Sequence, residues 1–326
     1  MARVYTKQEL IRLGLTEKDV RNALRCCLRR VRRGFFAPVR PCDSPAHASL
    51  HPHTPTQPAD YPHTYGDIRD HSEKLKLLIR SRLPDLQPTD AFSHISAALL
   101  HGIQPPYPAT EQVEFTRIGY HANFPELRIY DRALTRSERV RVGEFLVTDL
   151  ARTLADLAHD YPLEISVPMI SEALHWRRVG RSELDDHLSS RRRGSRTARS
   201  AFDLADSRHE SQGESLCAVK FHRLGIRGMV PQVDVYDRAG SFIGRADFRH
   251  EDLPLIAEFH GLGKYYLNAD GPDRASKDNH KRHMKLTNAG YTVFNLVWAD
   301  LFRDELFVAI KQRIAESGPQ HRERGS

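Results

Sequence analysis

The chain has 326 residues, 40% hydrophobic and 28% charged, with a formal net charge of +7. That is the composition of folded protein, and roughly 100 to 200 residues per domain gives two or three domains. No run of about 18 apolar residues occurs, so no membrane span is expected. Met1 to Leu10 carry no apolar signal stretch, and a cytoplasmic location is expected.

The charge is uneven. Residues 1–40 hold eleven Lys or Arg against three Asp or Glu, a net of +8. Residues 41–326 hold 38 basic and 39 acidic side chains, a net of −1. A concentrated basic patch is the footprint of a polyanion partner, nucleic acid above all.

Residues 1–40 form the basic head: helix, turn, helix, then a short hairpin. Thr6 with Glu9, and Thr16 with Asp19, fit two capping boxes, and Gly14 can close the first helix. Along the second helix Val20, Leu24, Cys27 and Val31 form an apolar stripe, and Arg21, Arg25, Arg29 and Arg32 repeat on another face. Such a helix suits the major groove and its phosphates. The alternative is a solvated basic helix. Arg32 and Arg33 lead into a hairpin with Gly34 at its turn. About 40 residues make a small core, so this head is expected to dock on the rest of the chain or to dimerise.

The four cysteines are Cys26, Cys27, Cys42 and Cys217; none has a CxxC partner, so structural zinc of the usual spacing is not expected, and reduced thiols are. Residues 41–72 are rich in proline and carry His47, His51, His53 and His63. Their density of proline reads as an extended tether or loose loop; a metal site formed with Cys42 is the alternative reading of the histidines, although the spacing matches no standard zinc pattern.

Residues 73–199 read as a mixed α/β body. Residues 93–102 start a helix with Ser93 as cap, 112–118 and 126–134 alternate as strands, and 147–161 form an amphipathic helix with Leu150, Leu154, Leu157 and Ala158 inward. His94, His101, Arg152 and Asp156 read as caps and core ties rather than catalysts. Five arginines within 191–199 read as a solvated loop or as a second phosphate contact.

Residues 200–326 follow the order helix, three strands, helix, strand, helix. Asp247 and Glu258, near the ends of neighbouring strands, could meet across a hairpin, with Glu214 on the preceding helix as a third carboxylate. Paired carboxylates can hold Mg2+, which neutralises a scissile phosphate and activates water. Lys264 or His260 would supply charge, or His260 a ligand or base. The alternative is a pair of surface carboxylates. Arg274, Lys277, Lys281 and Lys285 recur at helical spacing, either as a phosphate-binding stripe or as a solvated face.

Two resemblances add to this reading. Residues 5–39, YTKQELIRLGLTEKDVRNALRCCLRRVRRGFFAPV, resemble the N-terminal winged helix-turn-helix of AbiEi-type antitoxin regulators, and the segments SHISAALLHG and TDLARTLADLA resemble those that follow it there. This implies a double-stranded DNA partner and raises a toxin-like protein partner and a homodimer as further expectations. The C-terminal segments GRADF, LIAEFHG and HKRHMKLTNAGYTVFNLVWADL resemble the PD-(D/E)xK nuclease fold in its very-short-patch-repair endonuclease-like branch. The expected architecture is therefore multi-domain α/β, with a restriction-endonuclease-like α-β-β-β-α-β core at the C-terminus. The resemblance implies a Mg2+-dependent DNA endonuclease. His260 stands where that motif carries lysine, which leaves a catalytically silent, DNA-binding regulator as the alternative.

Overall fold

The computed structural model describes residues 3–54, 63–188, 192–261 and 281–317. It is a mixed α/β protein with three sheets among the described residues, and the chain divides into two compact units, Met1–Leu157 and Ala158–Ser326. The boundary falls inside one helix, whereas sequence places divisions near 40, 72 and 199. Among the described residues no helix is long and apolar enough to cross a membrane.

The first unit opens with β1 (Tyr5–Thr6), α1 (Lys7–Arg12), α2 (Glu17–Ala23), β2 (Leu28–Arg32) and β3 (Phe35–Pro38). Both capping boxes are formed: Thr6 with Glu9 at α1, and Thr16 with Asp19 at α2. The strands make an antiparallel sheet in the order β1-β3-β2. Tyr5, Leu10, Leu15, Val20, Cys27 and Phe36 fill the core beneath it.

Two sequence expectations change here. The second helix ends at Ala23 rather than running on to Val31, because Leu28–Arg32 pair as a strand with Phe35–Pro38. Gly34, at φ +82, makes the turn that a Cβ would strain. Within the proline-rich segment, residues 41–54 are not a plain tether, whereas 55–62 lie outside the described residues. Pro45–His53 form a 3-10 helix with proline in its first turn, where its missing N–H costs little. Its Leu50 is fully buried in the head's core, and α3 begins at His63.

After α3 (His63–Ser81) come β4 (Ala91–Phe92), α4 (His94–Leu100), β5 (Val113–Arg117), β6 (Ala122–Phe124), β7 (Leu127–Asp131), β8 (Arg139–Val142), β9 (Phe145–Thr148) and α5 (Leu150–Asp160). The strands form one mixed sheet in the order β6-β7-β5-β4-β9-β8. Ser93 stands at the N-terminus of α4, but its side chain does not cap the helix; its Oγ lies 2.9 Å from Nδ1 of His94. His94 sits at φ 51, a conformation costing about 1–3 kcal/mol for a residue with a side chain. It is held by stacking on Tyr130, with ring centroids 3.7 Å apart, and by Arg132 at 3.1 Å. Arg132 and Arg152 both reach the fully buried Asp156, and Arg152 also meets Glu138 at 2.6 Å. His101 Nε2 lies 2.8 Å from the Thr148 carbonyl oxygen.

The second unit contains α6 (Leu163–His175), α7 (Arg181–Asp185), α8 (Ser195–Leu204) and α9 (Gln212–Leu224), then β10 (Met229–Tyr236), β11 (Phe242–His250), β12 (Leu255–His260) and β13 (Thr292–Val297). Arg196 and Arg199 of the 191–199 cluster lie in α8 rather than in a loop, Arg192 pairs with Asp160 at 2.7 Å, and residue 191 lies outside the described residues. The sheet order is β10-β11-β12-β13; the first two pairings are antiparallel and the last is parallel. Helical residues 281–288 precede β13, and Glu305–Ser317 form a final helix.

His209 is buried in this unit beside the hydroxyls of Ser171 and Ser215 and against the Phe248 ring. Burial pushes its pKa down to about 4 from 6.5. The folded value lies below the unfolded one, so the neutral ring stabilises the fold above pH 6.5, and that contribution is lost as pH falls towards 4. Denaturant unfolding at pH 7 and pH 5 should show a pH-dependent loss about 2 kcal/mol larger in the wild type than in His209→Asn. Equal losses in both would remove His209 as the cause.

Candidate functional site

Strand register gathers a row of polar residues across the second sheet. Pro231 pairs with Phe248 and Val233 with Ala246, which sets Gln232 beside Asp247. Phe248 pairs with Ala257, and that register carried one residue further sets Asp247 beside Glu258. Glu258 in turn pairs with Asn295. Gln232, Asp247, Glu258 and Asn295 therefore cross all four strands.

The row is where regular pairing gives way to side-chain bonding. Asp247 Oδ2 accepts the backbone N–H of Phe259 at 2.8 Å, taking the place of a strand carbonyl. Gln232 sits at φ 55, a costly conformation for glutamine, and its Nε2 donates to Glu214 Oε2 at 2.9 Å. Glu214 comes from the first turn of α9 and is fully buried. It also accepts from the Glu210 N–H at 2.9 Å and the Ser211 hydroxyl at 2.8 Å. Burial first, and the negative charge of Asp247 second, raise its pKa above the usual carboxylate range despite those donors. α9 can come this close to β12 because residue 213 is glycine; a Cβ there would collide with the Phe259 ring.

Glu258 is 5% exposed, and its Oε1 accepts from Arg282 Nη2 at 2.8 Å. The same Arg282 nitrogen also donates to the Arg245 carbonyl oxygen. His260, two residues after Glu258, has its Nε2 2.9 Å from Asn295 Oδ1. The structure thus sets Asp247 beside Glu258 on neighbouring strands, brings Glu214 close enough to feel the charge of Asp247, and leaves His260 two residues beyond Glu258 against Asn295. It does not close them into a tight ligand cage: among the described residues, the oxygens of Glu214, Asp247 and Glu258 are not all within 4.8 Å of one another. Lys264, Lys277 and Arg274 lie outside the described residues. Lys281 and Lys285 are exposed on helical residues 281–288.

Sequence reasoning missed Arg282, Gln232 and Asn295. Arg282 stands next to Lys281 inside a basic run, and nothing local separates a cation turned towards the sheet from one in water. The two amides carry no charge pattern at all; only register brings them to the acids.

In the head, Arg21, Arg25, Arg29 and Arg33 are exposed, but they lie on a helix end, a turn, a strand and a hairpin tip rather than on one helical face. Arg32 is half-buried and tied down: it donates to Ser81 Oγ at 3.0 Å, pairs with Asp85 at 3.1 Å and covers the Phe35 ring. It belongs to the fold rather than to the exposed basic surface. Arg25, Arg29, Arg30 and Arg40 line one shallow groove. Beside it Cys26, Cys27, Cys42 and His47 offer ligand atoms all within 4.8 Å of one another, an arrangement that could hold a metal and that no CxxC spacing announces.

No family model matches the chain, and no curated protein is similar to it. Among solved structures, the Mycobacterium tuberculosis protein RV2827C aligns over 72% of this chain and 78% of its own, at 13% identity and a TM-score of 0.37.

The Arg282–Glu258 pair carries a stability expectation. Arg282→Met would strand a buried carboxylate and cost about 2 kcal/mol in denaturant unfolding. Adding Glu258→Gln should recover part of that loss, because the charge left without its partner is then gone. A double-mutant cycle with no coupling would show that the pair does not stabilise the sheet end.

Proposed function

We propose that this is a DNA-binding protein whose second unit acts as a Mg2+-dependent DNA endonuclease of the PD-(D/E)xK kind. The observation that carries the reading is the convergence of Glu214 from α9, Asp247 from β11 and Glu258 from β12 on a sheet that runs antiparallel, antiparallel, parallel. That element order supports the reading, because the sequence resemblance implies an α-β-β-β-α-β core.

Asp247 and Glu258 present hard oxygen donors, the kind Mg2+ prefers, and the metal would supply phosphate neutralisation and a more acidic bound water. The chain's own residues do the rest. Arg282 brings the fixed positive charge that the family's lysine brings, here delivered from the following helix to Glu258 instead of from the strand position occupied by His260. His260, steadied by Asn295, is placed to carry a proton or to orient water. Glu214 holds Gln232 and adds negative charge behind Asp247. In the head, α1 and α2 act as a winged helix-turn-helix with the β2–β3 hairpin as its wing, and Arg21, Arg25, Arg29 and Arg33 meet the phosphates of double-stranded DNA. Lys281 and Lys285 add a second basic strip near the acidic site.

Two observations favour the second reading, a catalytically silent regulator of the AbiEi antitoxin kind. Glu258, a metal ligand in the first reading, is bound to Arg282, and the motif lysine is histidine.

The two readings part in two assays. With Mg2+ or Mn2+, the full-length protein should nick supercoiled plasmid, and Asp247→Ala or Glu258→Ala should slow this by about 100-fold or more. Metal-independent nicking, or equal cleavage by wild type and variants, sinks the nuclease. DNA binding is read separately by mobility shift across a salt series. Arg25→Ala with Arg29→Ala should weaken binding and lower the slope of log K against log salt by about 2, one phosphate contact for each arginine. An unchanged slope would remove the head groove from the interface under either reading.

A further inference from the structure

We propose that Cys26, Cys27, Cys42 and His47 form a structural Zn2+ site that staples the N-terminal head. The four ligand atoms all lie within 4.8 Å of one another, and four of their six separations have the size that tetrahedral zinc requires. Sγ of Cys26, Cys27 and Cys42 lie 3.5, 3.7 and 3.4 Å from His47 Nδ1, and Cys26 Sγ is 3.7 Å from Cys27 Sγ. Tetrahedral zinc, with bonds of about 2.3 Å to sulfur and 2.0–2.1 Å to nitrogen, requires S···N edges of about 3.5 Å and S···S edges of about 3.8 Å. A disulfide would need sulfurs about 2.05 Å apart, and all four cysteines of the chain are free.

The donor set selects the metal. Three thiolates and an imidazole favour zinc over the oxygen-seeking Mg2+. Four protein ligands with no open position make a closed, structural centre rather than a catalytic one. Binding exchanges the thiol protons for the metal and releases them to solvent.

The ligand backbones are held by bonds of their own. The Cys27 carbonyl oxygen accepts from Val39 N–H at 2.9 Å, and the Cys26 carbonyl oxygen accepts from Arg40 Nε at 2.7 Å. The Cys42 N–H donates to His51 Nε2 at 3.5 Å, and the His47 N–H donates to the Ser44 carbonyl oxygen at 3.0 Å. Cys27 and His47 are buried, at 0% and 4% exposure. The ligands come from three places: the turn after α2, the chain leaving β3, and the 3-10 helix Pro45–His53. One ion would thus join the segments that a core of this size holds only weakly. The spacing is C-C-x14-C-x4-H. Adjacent cysteines serve as the first pair because the chain turns between Leu24 and Cys27 before entering β2.

The test needs no DNA and is independent of the nuclease reading. Full-length protein, expressed with zinc in the medium and purified reduced without chelator, should carry about one Zn2+ per chain by elemental analysis. Cys42→Ser and His47→Ala should each fall to about a tenth of that. Because those variants can fail to fold, the wild type is also stripped of metal and titrated with Co2+. Thiolate-to-cobalt charge transfer and intense tetrahedral bands should saturate at about one equivalent, with the same spectrum from Cys217→Ala. Reduced wild-type protein that holds no zinc and gives no tetrahedral cobalt spectrum would overturn the site. So would full zinc retention in both ligand variants.

Discussion

A carboxylate removed from water must find donors inside the protein, and that requirement organises both units. Asp90 has a fully buried side chain and is met by Arg117 at 2.6 Å; Asp156 is shared between Arg132 and Arg152. Glu114, also buried, accepts from the Ile95 N–H and the Tyr130 hydroxyl. In the second unit Glu214 gathers three donors and Glu258 gathers Arg282. Breaking one such pair costs more than making it gains, because the survivor stays buried and charged. These contacts therefore specify where strands end and helices dock more than they add net stability.

The same requirement shapes what the acidic site can do. Every donor that satisfies a buried carboxylate competes with a metal ion for the same oxygens. The Arg282–Glu258 pair is a fold contact, and under the proposed nuclease reading it would also supply positive charge beside a phosphate or stand where a cation would bind. Glu214 shows the other face of the balance. Its burial and the nearby Asp247 favour its neutral form, whereas a bound cation would favour the charged one. In the head the donors are of another kind, sulfur and nitrogen, and they lie beside a groove of exposed arginines.

Local structure was legible because its causes lie within a few residues. Thr6 with Glu9 and Thr16 with Asp19 are three apart, so each capping box could be read directly and is present. The end of α9 at Gly225 and the turn at Gly34 follow from the same short-range logic. The second helix of the head misled because the periodicity of Val20, Leu24, Cys27 and Val31 also fits a short helix, a turn and a strand. The pairing of Leu28–Arg32 with Phe35–Pro38 decides between them, and pairing is not visible in periodicity. Pro45 and Pro52 misled in the opposite sense, since Pro45 stands in the first turn of a 3-10 helix, where it breaks nothing, and Pro52 is accommodated inside that helix.

By itself, the sequence determined the concentration of positive charge in the first 40 residues, the two capped helix starts of the head, and the presence of Glu214, Asp247 and Glu258 in the C-terminal region. Only the tertiary structure decided that Glu214 is buried behind Gln232, that Arg282 rather than a strand lysine reaches Glu258, and that Arg32 is spent on Ser81 and Asp85. It alone brought Cys42 and His47 to Cys26 and Cys27. The physical reason is range. A cap is written in residues three apart, whereas a strand register or a ligand set joins residues that are distant along the chain and become neighbours only once the core has formed.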